Sequence, residues 1–323
     1  MKESRFELLA HRYETRQGMH RTGAQYQPAI CATRGEAPSI SRCSQIWSSK
    51  AQRNIQVLST TEAAAAVFAL YCPALVDLLE QRCLPLEPDV NPASLYSSPG
   101  LTRMPGMSGT LQVAERLGLT RFHPKFVAGD NDDRYHAPLP LVGDLLLILR
   151  DAAGAYAVNW TVKISEEAFS ERLGKRPLRR RSPTSVDEAH ARHQLEEVCY
   201  RDAGIPTHRV VKATFDSTLI ANLCQLVLWE NRRTNLKDSE RAEMVDEFRG
   251  IIGSDRTPLD LLDGLTKQFN CERHDCLVVL HQAIWRRELI VDLFKTFVIN
   301  ASLEKEKINP FQRYSHLFAR GAQ

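Results

Sequence analysis

Between Leu141 and Lys163 the chain reads "LVGDLLLILRDAAGAYAVNWTVK", two apolar runs joined by the short polar connection "RDAAGA". Runs of this length around an Asp and a Gly predict a β-hairpin rather than a helix. On the second strand, side chains alternate between faces, so Tyr156, Val158, Trp160 and Val162 share one side. Asn159, Thr161 and Lys163 share the other. Asp144 interrupts the first apolar run, where an isolated carboxylate is costly. With the turn centred near Ala153, Asp144 pairs close to Val162. Thr161 and Lys163 are then within a diagonal neighbour's reach, an arrangement that could hold a metal ion.

The same patterning divides the rest of the chain. Residues 1 to about 58 are polar and irregular, an arm rich in Arg, Gly and Gln that ends in a short hairpin at "CSQIWSSKAQRNIQVL". "STTEAAAAVFALYC" predicts a helix, with Ser59 and Glu62 in capping-box spacing and Pro73 just beyond its end. "ALVDLLEQ" suits a strand, "GTLQVAERLGL" a helix closed by Gly118, and "TRFHPKFVAGDNDDRYHAPLP" a loop. After the hairpin comes the basic, Pro-punctuated "SERLGKRPLRRRSPTS". A helix over "SVDEAHARHQLEEVCYRDAG" follows, with Ser185 and Glu188 as a second capping box and Gly204 as its stop, and then a strand at "HRVVKATF".

Helix and strand alternate as far as residue 214, which predicts an α/β domain over 1–214. From Phe215 onward the pattern becomes helical: "DSTLIANLCQLVLWENRR", "TPLDLLDGLTKQF" and "ERHDCLVVLHQAIWRREL" precede the β-prone "LIVDL" and "TFVINA". Three helices and a short β-ribbon predict a winged-helix-like domain over 215–323.

Composition narrows the class. A chain of 323 residues with 43% hydrophobic and 25% charged residues is globular in type, and long enough for two domains. The net charge of +3 requires any anion-binding surface to be local. "MKESRFELLAHRYE" lacks the apolar core of a secretion signal, and Ala63 to Val76 is too short to span a bilayer, so a cytoplasmic protein without a membrane anchor is expected. The eight cysteines show no framework spacing and read as free thiols.

Asp144, Thr161 and Lys163 fit a metal-dependent nuclease, in which strand carboxylates hold Mg²⁺ and a lysine orients or polarises the attacking water. An edge strand with protective charges is the competing reading. Glu62 could reach a metal from its helix start or serve in the capping box. Glu196 could act similarly or lie on a solvated helix face. The basic loop residues Lys175, Arg176, Arg179, Arg180 and Arg181 could neutralise DNA phosphates. Cys271, His274, Cys276 and His281 depart from paired zinc-ligand spacing, and Leu280 and Trp285 suit a core.

The order of features resembles the TnsA endonuclease subunit of heteromeric cut-and-paste bacterial transposons over most of the chain. "LSTTEAAAAVFALYCPALVDLLEQRCLPL" resembles that family's helix and strand bearing the first acidic ligand, and "QVAERLGLTRFHP" its next helix. "GDLLLIL" followed by "TVK" resembles its catalytic hairpin, and "LEEVCYRDAGIP" the helix after it. The resemblance implies a restriction-endonuclease-like N-terminal domain and a winged-helix-like C-terminal one. It also implies Mg²⁺-dependent cleavage, with Mn²⁺ as substitute, near the 5′ ends of a transposon. A TnsB-like transposase would cut and join the 3′ ends, and a TnsC-like ATP-dependent regulator would connect both to the target. Glu62, Asp144 and Glu196 become the acidic site residues and Lys163 the catalytic lysine. Thr161 departs from the family, which commonly carries Gln or an acid there; water or the Val162 carbonyl could supply the missing ligand. The other readings are a non-catalytic DNA-binding or assembly subunit, and a stand-alone restriction or repair nuclease.

Overall fold

A computed structural model describes residues 5–39, 41–97, 104–129, 134–170 and 183–321. The N-terminal arm holds α1 (Arg5–Gln17) and the hairpin β1 (Ser44–Ser48) and β2 (Arg53–Val57). There follow α2 (Thr60–Tyr71), β3 (Leu75–Glu80), α3 (Thr110–Arg116) and the small hairpin β4 (Lys125–Ala128) and β5 (Tyr135–Pro138). Next come β6 (Leu145–Asp151), β7 (Gly154–Lys163), α4 (Pro183–Asp202) and β8 (Thr207–Val211). The remainder is α5 (Ser217–Val227), α6 (Asp238–Gly250), α7 (Pro258–Phe269), α8 (Arg273–Trp285) and the short α9 (Pro310–Arg313). No helix among the described residues is long and apolar enough to cross a membrane.

The predicted hairpin is the middle of a mixed sheet ordered β3-β6-β7-β8, with β8 parallel to β7 and the other pairs antiparallel. Asp151 faces Gly154 across a two-residue turn, and Gly154 takes φ +109°, a conformation that side chains resist. Leu145 therefore faces Trp160, and the register lies one residue from that expected with the turn centred on Ala153. Asp144 falls level with Thr161 rather than Val162.

Helices cover both faces of the sheet. Leu145, Leu147, Val158, Trp160 and Val162 pack in one core with α2 and the C-terminal helices. Leu146, Ile148 and Ala157 pack in a second core with residues of α3 and α4. Burial on both sides explains why β6 reads as a continuous apolar run. Ser59 caps α2 by accepting the Glu62 N–H at 3.1 Å, as predicted. α4 differs: it begins at Pro183, so Ser185 lies in its first turn and not at its cap.

Several elements escaped the sequence pattern, the short α9 among them. α1 occupies the arm read as irregular, β4 and β5 pair within the stretch read as loop, and α6 carries few apolar residues, burying Met244, Val245 and Phe248. The arm is fastened to β3 by polar groups: Arg53 pairs with both Glu80 oxygens at 2.7 and 2.8 Å, and Tyr26 donates to the Glu80 carbonyl at 2.8 Å. Asp77 accepts from the Gly23 N–H at 2.8 Å and the Tyr96 hydroxyl at 2.5 Å.

The expected β-ribbon does not form among the described residues. Val291 and Lys305 make a single bridge, and "TFVINA" is not a strand. The helices after Phe215 also share the sheet's core. Phe68 of α2 stands 4.6 Å from Phe215, 5.7 Å from Phe311, 5.3 Å from Tyr314 and 5.6 Å from Phe318, measured between ring centres. The indole N–H of Trp160 donates to the Leu317 carbonyl at 2.8 Å. Chain on both sides of the boundary at 214 thus contributes to one aromatic cluster.

Phe68→Ala should cost roughly 3–5 kcal/mol, the usual range for emptying a buried aromatic site. Denaturant unfolding followed by tryptophan fluorescence and circular dichroism should show one shifted transition. Two separate transitions would mean that the segments before and after Phe215 fold independently.

Candidate active site

Polar groups collect at the open end of the central hairpin, where β6 begins and β7 ends. Asp144 lies immediately before β6, its side chain 15% exposed. Its Oδ2 accepts the Val162 N–H at 2.7 Å and the Lys163 ammonium at 3.0 Å. Lys163 also donates to the Val162 carbonyl at 3.0 Å. The ammonium is thus held between a carboxylate and a carbonyl oxygen, both of them hard donors of the kind Mg²⁺ takes.

Glu62 enters from the start of α2. Its Oε2 accepts the Leu58 N–H at 2.9 Å and the Gln81 side-chain amide at 3.0 Å, and Ser59 Oγ donates to its Oε1 at 3.2 Å. Its carboxylate therefore bonds the main chain one residue ahead of Ser59, so the reciprocal half of the expected capping box is displaced. Burial, and then the neighbouring charge of Asp144, push the Glu62 pKa up to about 7. A cation shared with Asp144 would relieve that cost of ionising Glu62.

Gln81 connects these groups and was not evident from sequence. It follows the last residue of β3 with φ +49°, a rare conformation for a residue with a side chain. In that conformation its side chain reaches Glu62 while its N–H donates to the Asp144 carbonyl at 3.0 Å. A lone Gln after a strand has no chemical signature in sequence, so no signal could have marked it.

Thr161 and Glu196 form a second arrangement. Glu196 on α4 is buried against the sheet, and its Oε1 accepts from Asn159 Nδ2 at 2.9 Å and from the Thr161 hydroxyl at 3.0 Å. Burial and the charge of Asp144 raise its pKa. The solvated-face reading of Glu196 therefore does not hold, and the face bearing Asn159 and Thr161 is polar but covered. His193, one turn away on α4, is pushed down to about 4 by burial and by Lys163.

Among the described residues, no three of His, Cys, Asp and Glu stand together as a metal-holding group. A hard cation is instead suited by the two carboxylates of Glu62 and Asp144 with the Val162 carbonyl, an all-oxygen set. Thr161 has its hydroxyl directed to Glu196. Lys175, Arg176, Arg179, Arg180 and Arg181 lie outside the described residues. His281 stacks on Trp229 with ring centres 4.3 Å apart and bonds the Leu277 carbonyl at 2.6 Å, a packing role. The eight cysteines are free, although Cys271 and Cys276 approach to 3.7 Å between sulfurs. Comparison with protein families and with curated proteins returns no match.

The raised Glu62 value has a definite sign. An acid that holds its proton more tightly when folded loses stability as pH climbs from its ordinary 4.5 towards about 7, and the loss is complete above that. Glu62→Gln should therefore unfold at a higher temperature than the native protein at pH 8, with the difference vanishing near pH 5. Thermal melts across that range check it, and a constant difference would refute the assignment. Mn²⁺ binding, followed by calorimetry, should strengthen as pH rises through about 7, because the cation competes with the Glu62 proton.

Proposed function

We propose that this chain is the Mg²⁺-dependent DNA endonuclease subunit of a heteromeric, TnsA-type transposase. It hydrolyses phosphodiester bonds at the 5′ ends of the transposon, while a TnsB-like transposase cuts and joins the 3′ ends under a TnsC-like ATP-dependent regulator. The observation that carries this reading is the Asp144–Lys163–Val162 contact beside Glu62 at the end of a buried hairpin. It supports a restriction-endonuclease-like organisation of residues 1–214, and the helices of 215–323 would then serve as a winged-helix-like surface for DNA or partners.

Mg²⁺, or Mn²⁺ in its place, would supply charge neutralisation at the scissile phosphate and a more acidic water. Asp144 and Glu62 would hold it with the Val162 carbonyl. Lys163 brings a fixed positive charge to where negative charge builds on the phosphate oxygens, and Asp144 orients that ammonium. Gln81 holds the Glu62 carboxylate towards the same point. No covalent enzyme intermediate is needed.

With a net charge of only +3, non-specific grip on DNA is modest and recruitment by the transposase is expected. The test is strand-specific cleavage of transposon-end DNA with and without the transposase and regulator. Asp144→Asn should abolish 5′-strand cutting while leaving the melting temperature within a few degrees of native. Lys163→Ala should lower the rate by roughly 10²-fold or more, on the scale of losing one charge-stabilising group, yet keep Mn²⁺ affinity. Equal loss of metal binding in both variants would defeat the separate roles. Efficient site-specific cutting by the chain alone would instead indicate a stand-alone restriction or repair nuclease, and persistent cutting by a folded Asp144→Asn protein would exclude catalysis at this site.

A further inference from the structure

A cleft of about 790 Å³ opens directly beside Lys163. One wall is the β4–β5 hairpin with the turn before it, another is α4, and α1 closes the far side through Phe6 and Tyr13. Residues 139–142, which lead into Asp144, line its floor. The cleft therefore runs from the surface to the place where Asp144 holds the Lys163 ammonium.

Its charge is one-sided. Arg121 and Lys125 stand on the hairpin wall, Arg192 on α4, and Lys163 at the inner end; among the lining residues, Glu188 is the one carboxylate. Arg121 and Lys125 are exposed, and the Arg121 guanidinium lies over the Phe122 ring at 4.5 Å, which holds it on the cleft rim. Arg192 donates to the Val142 carbonyl at 2.7 Å, so its cation is fixed against the floor. A chain whose net charge is only +3 has here gathered four cations along one trough. Spaced cations with the half-buried Phe122 ring between them match a sugar–phosphate strand, where charge repeats along the backbone and the intervening sugars are apolar.

We propose that this cleft carries the DNA strand that is cut, with Arg121 and Lys125 gripping phosphates beyond the scissile one, which Lys163 meets at the inner end. The identity of the strand as DNA rests on the nuclease reading above; the phosphate-binding role of Arg121 and Lys125 rests on the cleft itself. Because both side chains stand on a short hairpin and its preceding turn, outside the two cores, their replacement tests binding without emptying packed volume.

The experiment uses the full-length chain in metal-free buffer, where nothing is cut. Binding of a fluorescent 20-base-pair duplex is followed by anisotropy from about 50 to 200 mM salt, a range in which phosphate neutralisation dominates affinity. Arg121→Glu with Lys125→Glu should weaken binding by at least roughly 10-fold and flatten the logarithmic salt slope by about 2, close to one unit for each phosphate that is no longer neutralised. Arg121→Gln with Lys125→Gln should give the same slope change with a smaller loss of affinity. Arg201→Glu, at the opposite end of α4, should leave both quantities unchanged, and circular dichroism should match in all variants. Unchanged affinity in both double variants, equal loss in Arg201→Glu, or no binding by the native chain at the lowest salt would overturn the cleft assignment. Tighter binding of duplex RNA than of DNA, abolished in the same variants, would overturn DNA as the occupant. Failure of the nuclease reading has a different signature: the native chain would leave the 5′ strand uncut in the assay with partners, whatever the cleft variants bind.

Discussion

A hairpin buried on both faces has nowhere inside it for an unpaired charge, and this constraint organises the molecule. β6 and β7 are covered by α2 and the C-terminal helices on one side and by α3 and α4 on the other. Asp144 is tolerable because it stands one residue outside β6, where the Val162 N–H and the Lys163 ammonium both reach its Oδ2. The same two hydrogen bonds bring a carboxylate, a carbonyl and a cation to one point at the sheet's end. Structural necessity and chemical capacity therefore coincide there.

The polar residues around that point separate into two sets by their partners. Glu62, Gln81, Asp144 and Lys163 are linked by hydrogen bonds: Gln81 donates its side-chain amide to Glu62 and its N–H to the Asp144 carbonyl, and Lys163 donates to the Asp144 carboxylate. Asn159, Thr161 and Glu196 satisfy one another beneath α4, where a buried carboxylate needs donors whatever else it does. The short hydroxyl of Thr161 serves Glu196 across the sheet–helix interface.

Stability and site are also joined through chain that is distant in sequence. The rings of Phe215, Phe311, Tyr314 and Phe318 surround Phe68 on α2, the helix whose first turn presents Glu62. On the other edge, Arg53 and Tyr26 hold the N-terminal arm to β3, whose end delivers Gln81. Glu62 and Gln81 are thus placed by elements anchored far from them, and aromatic packing in the C-terminal segment steadies the helix that carries Glu62.

What could be read from the sequence alone was whatever has a short period or a local cap. Alternation defined the two faces of β7, Ser59 and Pro73 marked α2, and the isolation of Asp144 in an apolar run singled out its carboxylate. α1, α6 and the β4–β5 hairpin lacked such marks, since each is held by other parts of the chain more than by its own apolar period. The hairpin register depended on one turn residue, and the face bearing Thr161 was recognisable as polar but not as buried, because its cover, α4, arrives from beyond a long basic stretch. The approach of Glu62 to Asp144, the conformation of Gln81 and the pairing of Thr161 with Glu196 were decided in three dimensions. They join residues separated by 19 to 82 positions, and no local pattern encodes which distant donor will satisfy a buried acid.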